Sequence, residues 1–251
     1  MRKLAQMPHE PLNERLSREH RALEATSAIR LGQSDPQVGQ IALVSGFGAD
    51  SAVLLHLAAQ VVPDMPVLFL DTGKHFNETL QYQRELASEL GLQDLRTIKP
   101  DANAIAETDP YGALYSHAPD ACCDLRKTQP LTLALKGFDG WITGRKRHQS
   151  VSRAKMNVFE IDGQSQQLKI NPLAHWSAQD VAQYMRDHAL LPHPLVARGF
   201  LSIGCSPCTS ATLSGEDPRT GRWRGTAKDE CGIHISRALK QDAISEKAVL
   251  R

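Results

Sequence analysis

The chain has 251 residues, of which 41% are hydrophobic and 23% charged, and its formal net charge is +1. That suits one large soluble domain or two small ones with a real core, and it excludes a global field of the kind that gathers nucleic acid or a membrane surface. No apolar run is long enough to span a bilayer, and residues 1–15 hold no apolar stretch of secretory type, so the expectation is a cytoplasmic protein with neither nucleic acid nor membrane as partner.

Pro11 to Arg30 reads as a polar-faced helix with Leu12, Leu16 and Leu23 on one side, and Gly32 to Gln40 as a loop. Ile41 to Val44 is a short buried-type strand. It runs at once into Ser45-Gly-Phe-Gly-Ala-Asp-Ser51 and then a helix-length apolar stretch, Ala52 to Gln60. Val67 to Leu70 is a second strand, ending at Asp71-Thr-Gly73. Asn77 to Leu90 is an amphipathic helix closed by Gly91, and Leu95 to Ile98 is a third strand. Ala121 to Leu135 reads as helix, Trp141 to Thr143 as a fourth strand, and Val158–Ile161 and Leu168–Ile170 as extended segments about a turn at Asp162-Gly163. Ser177 and Asp180 form a loose capping box for a helix to about His188. Gly204 to Glu230 reads as loop, and Ile235 to Leu250 as a polar helix or loose tail.

Strands alternating with helices predict an α/β fold: a Rossmann-like open, largely parallel sheet flanked by helices, with a flexible C-terminal tail. The expected divisions are a helical segment at 1–36, an α/β domain at 37–224 and a mobile tail at 225–251. In such sheets ligands sit at the carboxyl ends of the strands. Ser45, Gly46, Gly48 and Asp71 fall there, and the helix after the first glycine turn offers free N–H groups to an anion. Either glycine turn alone fits an ordinary strand-to-helix connection; two at matching strand ends favour a nucleotide site. The first resembles the phosphate loop of the adenine nucleotide α-hydrolase (PP-loop) superfamily. It departs from that group's Ser-Gly-Gly-x-Asp-Ser by one extra residue and by Phe47.

Five cysteines, at 122, 123, 205, 208 and 231, carry the strongest chemistry. In a reducing compartment they read as metal or redox groups rather than disulfides. Cys205-Ser-Pro-Cys208 brings two sulfurs to one centre from a turn. Cys122 and Cys123 can face the same centre only from a distorted helix, because helical neighbours point about 100° apart. Four thiolates suit a 4Fe–4S cluster or a zinc ion, with adjacent cysteines favouring the cluster. Arg126 and Lys127, one turn on, would offset its negative charge. Cys231, beside His234, fits an activated nucleophile and an incidental thiol equally on spacing alone.

Cys122-Cys-Asp-Leu-Arg-Lys127 with Pro130-Leu131, Ile142-Thr-Gly-Arg-Lys-Arg-His-Gln-Ser150, Asn171-Pro172, Gly204-Cys-Ser-Pro-Cys208, Gly221-Arg-Trp223 and Glu230-Cys-Gly-Ile-His234 together resemble the assimilatory adenylyl-sulfate reductases, in the family that includes phosphoadenylyl-sulfate reductases. The resemblance spans about Ile41 to His234. It implies a 4Fe–4S cluster on Cys122, Cys123, Cys205 and Cys208, and a nucleophilic Cys231 that takes the sulfonate of a sulfonucleotide. It also implies release of sulfite by thioredoxin or a similar dithiol protein. Candidate substrate cations are Lys127, Arg145, Arg147, Arg153, Arg219 and Arg222, with Gly144 in the same run. Ser150-Val-Ser-Arg153 replaces the family's common Ser-Pro-Gly-Thr-Arg. Four cluster cysteines favour adenylyl sulfate over its 3′-phosphorylated form; a dual-specificity reductase, a PP-loop tRNA sulfur-transfer enzyme and a non-catalytic nucleotide-sensing or zinc-binding module are the alternatives. The resemblance leaves a homo-oligomer open.

Overall fold

Apolar runs of three to five residues between glycine turns become a six-stranded sheet in the computed structural model, which describes residues 10–20, 24–163, 165–226, 228 and 230–234. The elements in chain order are α1 (Leu12–Glu19), α2 (Ala25–Ser34), β1 (Ile41–Ser45), α3 (Ser51–Val61), β2 (Val67–Leu70), α4 (Asn77–Glu89) and β3 (Leu95–Ile98). Then come α5 (Ala102–Thr108), α6 (Leu114–His117), α7 (Pro119–Cys123), α8 (Gln129–Ala134), β4 (Gly140–Ile142), β5 (Phe159–Ile161), β6 (Leu168–Ile170) and α9 (Ala178–Asp187). Leu23 and the expected terminal element at 235–250 lie outside the described residues.

The strand order is β3-β2-β1-β4-β6-β5, with every pair parallel except β5 on β6. Side chains alternate between the two faces. Ile41, Leu43, Val67, Phe69 and Ile142 enter one core with Ile29, Leu55, Tyr82, Leu86 and Val181 of the covering helices. Ala42, Leu68, Leu70 and Trp141 enter the other, under Leu131 of α8 and Leu135 and Phe138 beyond it. Burial on both faces explains why β1 and β2 read as continuous apolar runs. The order reverses between β1 and β4, so a crevice opens at the carboxyl ends of these two strands. Among the described residues no helix is long and apolar enough to cross a membrane.

Three elements differ from the sequence expectation. The first helix is two, and the second continues through Gly32 into the expected loop. Gly32 fits there because α2 packs so closely on β6 that a Cβ would stand 2.3 Å from the Ile170 Cδ1. The expected helix 121–135 is α7, a π-helical turn at Asp124–Thr128 and then α8. Pro130 has no N–H for the preceding turn and its ring crowds the carbonyl four residues back; the widened turn accommodates both. The fourth strand starts and ends one residue early, so Thr143 is already in the crevice, with its hydroxyl donating to Asn171 Oδ1 at 2.9 Å.

Candidate active site

A cavity of about 600 Å³ fills the crevice. Its floor is the turn after β1. Ser45 Oγ accepts the Phe47 N–H at 3.1 Å, and Phe47 holds a left-handed φ of 46° that is costly for a bulky residue. Its ring is turned into the core, edge-on to Phe69 at 5.4 Å between centroids, so the extra residue in this loop does not obstruct the cavity. Gly48 lies under the backbone of the next wall, where a Cβ would meet the Ile203 carbonyl at 2.9 Å. Gly46 has open space before it.

The turn after β4 supplies the second wall. Gly144 and Arg145 line the cavity, and Arg145 is held by Glu160 at 2.6 Å and by Asn171. Lys146 crosses to Asp50 of the first turn at 3.0 Å and ties the two turns together. Arg153 also lines the cavity and is paired with Glu230. Arg219 and Arg222 enter from the far side, and Trp223, at a φ of 48°, carries the Arg222 guanidinium on its face at 4.4 Å.

Of the residues expected to touch a ligand, Ser45, Gly46, Gly48, Lys127, Gly144, Arg145, Arg153, Arg219, Arg222 and Cys231 line this one cavity. Asp71 and Arg147 do not. Asp71 accepts the Gly73 N–H at 3.0 Å and faces Lys99, so it shapes its own turn. Arg147 donates to the Met156 carbonyl at 2.7 Å. Sequence reasoning did not single out Lys146, Glu230 or Trp223. An acidic residue next to a prospective thiolate was the available signal for Glu230, since a buried carboxylate requires a cation.

Polar groups on the cavity residues are left without partners. Among the described residues, six buried side-chain N or O atoms lack a hydrogen bond, and four of them belong to cavity residues: His75 Nδ1, Trp141 Nε1, Arg222 Nε and His234 Nδ1. Buried orphans are rare, and their concentration here points to a polar occupant. His75 donates from Nε2 to the Leu70 carbonyl at 2.8 Å, which leaves Nδ1 as an acceptor. His234 lies parallel to Trp141, at 7° and 6.0 Å between centroids. Burial, with the cations Lys169, Arg145, Arg153 and Arg219 around it, holds His234 well below the ordinary histidine range and therefore neutral.

A second, smaller cavity adjoins the first. Cys122, Cys123, Cys205 and Cys208 all line it, and all are free thiols. Their segments are firmly held. The Ser206 N–H donates to the Lys74 carbonyl at 2.7 Å, the Trp223 N–H to the Cys208 carbonyl at 3.1 Å, and Thr209 bridges to Arg222. Arg126 is committed to Asp109 at 2.7 Å and to the Thr72 carbonyl at 2.9 Å. Among the described residues no three His, Cys, Asp or Glu side chains converge as the ligand set of one ion. Lys127, Arg222 and Trp223 line both cavities and form the partition between them.

Cys231 is buried at this partition. Its thiol is drawn well below the ordinary range, chiefly by the hydrogen bond it shares with Cys123; burial opposes this, and the charges of Lys127 and Arg222 reinforce it. Cys123 is correspondingly raised by the same hydrogen bond and by burial. For Lys127, burial alone would lower the ammonium, but the sulfurs of Cys205, Cys231 and Cys123 raise it. The arrangement is a cysteine beside two cations at the edge of a ligand-sized cavity.

Residues 40–211 match the family model of the phosphoadenosine phosphosulfate reductase domain. The chain is 55% identical over 197 residues to an adenosine 5′-phosphosulfate reductase of Mesorhizobium japonicum, covering 78% of this chain and 77% of that one. It is 50% identical over 216 residues to that of a Chelativorans species, covering 86% and 87%. It is 42% identical over 186 residues to that of Mycobacterium tuberculosis, covering 74% and 73%. In three dimensions it resembles the phosphoadenylyl-sulfate reductase of Candida auris, with a TM-score of 0.68 and 23% identity over 83% of this chain and 99% of that one. It also resembles the FMN adenylyltransferase of Candida glabrata, with a TM-score of 0.53 and 13% identity over 96% and 86%. At these identities the structural likeness speaks for the fold alone.

Proposed function

We propose, from the premise that the chain belongs to the phosphoadenosine phosphosulfate reductase family, that it reduces adenylyl sulfate to sulfite and AMP in assimilatory sulfate reduction. The observation that carries this reading is the placement of Cys231, a buried cysteine that shares with Lys127 and Arg222 the lining of a cavity whose residues leave polar atoms unpartnered.

The chemistry follows from the charges. The substrate is an anion, and a thiolate must approach its sulfur, so the barrier is largely electrostatic repulsion. Lys127 and Arg222 face that approach with no described carboxylate pairing them. The turns after β1 and β4 present backbone and Arg145 to the nucleotide. The Cys231 thiolate attacks the sulfate sulfur; an S–S bond forms, the S–O bond to phosphate breaks, and AMP leaves with the electron pair. The product is a Cys231 thiosulfonate. One thiolate of a dithiol protein of the thioredoxin type then attacks the Cys231 sulfur, and sulfite leaves with the bonding pair. The partner's second thiol resolves the mixed disulfide and restores Cys231, so the dithiol supplies both electrons. Cys231 is buried, so its sulfur must become exposed for this second half.

Cys122, Cys123, Cys205 and Cys208 would hold a 4Fe–4S cluster. The donor set fits it: four thiols line one cavity, with Lys74, Arg126, Lys127 and Arg222 in the same lining to offset negative charge. When bound, the cluster supplies a negatively charged cross-link between α7 and the 205–208 turn. Reduced thiols of this kind suit the cytoplasm.

Incubation with adenylyl sulfate in the absence of any dithiol is the direct test. Intact-mass spectrometry is expected to find one sulfonate per chain, on Cys231, and none on a Cys231→Ser variant. A sulfonate on another cysteine, or on none, would contradict the reading.

A further inference from the structure

Glu230 is a buried carboxylate beside a cavity of cations, and both its oxygens are used. Oε2 accepts from Arg153 Nε at 2.5 Å, and Oε1 accepts from Arg153 Nη2 at 2.8 Å. Oε1 also accepts the backbone N–H of Cys231 at 2.8 Å, and Arg219 Nη2 stands 3.9 Å away. The remaining arm of Arg153, Nη1, donates to Gln149. A forked pair fixes orientation as well as position, because both parallel N–H···O contacts must be kept. Here the same carboxylate grips the backbone of the neighbouring residue. The position of the Cys231 main chain is thereby referred to the turn at Val151–Arg153, which comes from a distant part of the fold.

Burying such a pair costs desolvation that its attraction repays only with good geometry, so stability alone does not explain it. A carboxylate beside the cations of an anion site would also compete with the substrate. The competition is avoided if the cations are divided. Arg153 and Arg219 face Glu230, whereas Lys127 and Arg222 lie in the wall shared by the two cavities, in the same lining as Cys231.

We propose that Glu230 is the positioning residue for Cys231: through the Arg153 fork it fixes the Cys231 main chain at the cavity and so sets the sulfur in the wall that holds Lys127 and Arg222. This rests on the reading of Cys231 as the nucleophile, and the experiment separates the two. Anaerobically purified holoprotein is treated with iodoacetamide, and the alkylation rate of Cys231 is read by peptide mass spectrometry. Wild type, Glu230→Gln, Glu230→Asp, Arg153→Ala and the Glu230→Gln/Arg153→Ala double variant are compared. Losing a charge-assisted clamp raises the alkylation rate on the order of tenfold to a hundredfold in Glu230→Gln and in Arg153→Ala. The double variant reacts no faster than either single one, because both remove the same contact. Glu230→Asp, which keeps the charge, falls between wild type and Glu230→Gln. In sulfite release, kcat drops in Glu230→Gln while KM for adenylyl sulfate moves less than about threefold, as befits a group that orients without binding substrate. An unchanged alkylation rate in Glu230→Gln, or additive effects in the double variant, would overturn the proposal. So would a KM defect with kcat intact. Absence of sulfite from wild type would instead overturn the reaction, and the alkylation rates would still decide whether the clamp exists.

Discussion

Arg222 is packed between Trp223 and Gly204. Its guanidinium lies on Trp223, and a Cβ on Gly204 would stand 2.3 Å from Nη2, so the glycine is what admits the side chain. Nε has no partner. Arg222→Ala is expected to weaken adenylyl sulfate binding to the Cys231→Ser protein by on the order of ten- to a hundredfold, the worth of a charged hydrogen bond, as measured by calorimetry. His193 makes a different prediction. It accepts the Leu195 N–H at Nδ1 and donates from Nε2 to Thr79, pinning residues 191–195 to α4, and burial pulls it down to about 4 from the ordinary 6.5. The unfolded chain therefore takes up this proton first. Stability from His193 is fully present above pH 6.5 and declines as pH falls toward about 4. Thermal melts of His193→Gln should show a shallower decline across that window than wild type. At this scale the grouping of Cys122 and Cys123 with Cys205 and Cys208 was legible from spacing, and the four line one cavity, whereas spacing left Cys231 undecided. The Arg153–Glu230 contact was not legible, because it joins residues 77 apart in sequence and no local pattern encodes such a pairing.

The elements that carry the site are short turns between buried strands, and their fit depends on backbone approach. Gly140 starts β4 where a Cβ would meet the Leu168 carbonyl at 2.9 Å and Ile41 Cγ2 at 3.2 Å. Gly140→Ala should destabilise the protein by about 1–3 kcal/mol in urea unfolding, as overpacking does. Gly46→Ala, with open space before it, should stay within about 0.5 kcal/mol. The strands were legible because parallel strands buried on both faces read as unbroken apolar runs. A distorted helix was expected at Cys122 and Cys123; both end the regular α7, and the distortion begins one residue later as a π-helical turn before Pro130, a form that no local pattern announced. The join between α1 and α2 and the passage of α2 through Gly32 were also hidden, because glycine signals a helix end unless close packing calls for it.

Across the whole molecule, the reversal of strand order between β1 and β4 creates the crevice, and the 205–223 segment closes it while carrying two of the four cysteines. The crevice cavity and the cysteine cavity therefore share one partition, Lys127, Arg222 and Trp223, with Cys231 in the lining of the first. A cluster tying α7 to the 205–208 turn would hold that partition in place. Cys205→Ser is accordingly expected to lower both iron content and melting temperature, measured by metal analysis and calorimetry on anaerobic protein. The α/β class and the location at the strand ends were legible from alternation and glycine turns; the sharing of a wall was not, since it arises only when distant segments fold together.

The most direct measurement is sulfite release by the anaerobically purified protein with thioredoxin, given adenylyl sulfate and its 3′-phosphorylated form separately. Sulfite and AMP from adenylyl sulfate, with little from the phosphorylated form, is the predicted result. No sulfite from either, with iron present and thioredoxin reduced, would contradict the account.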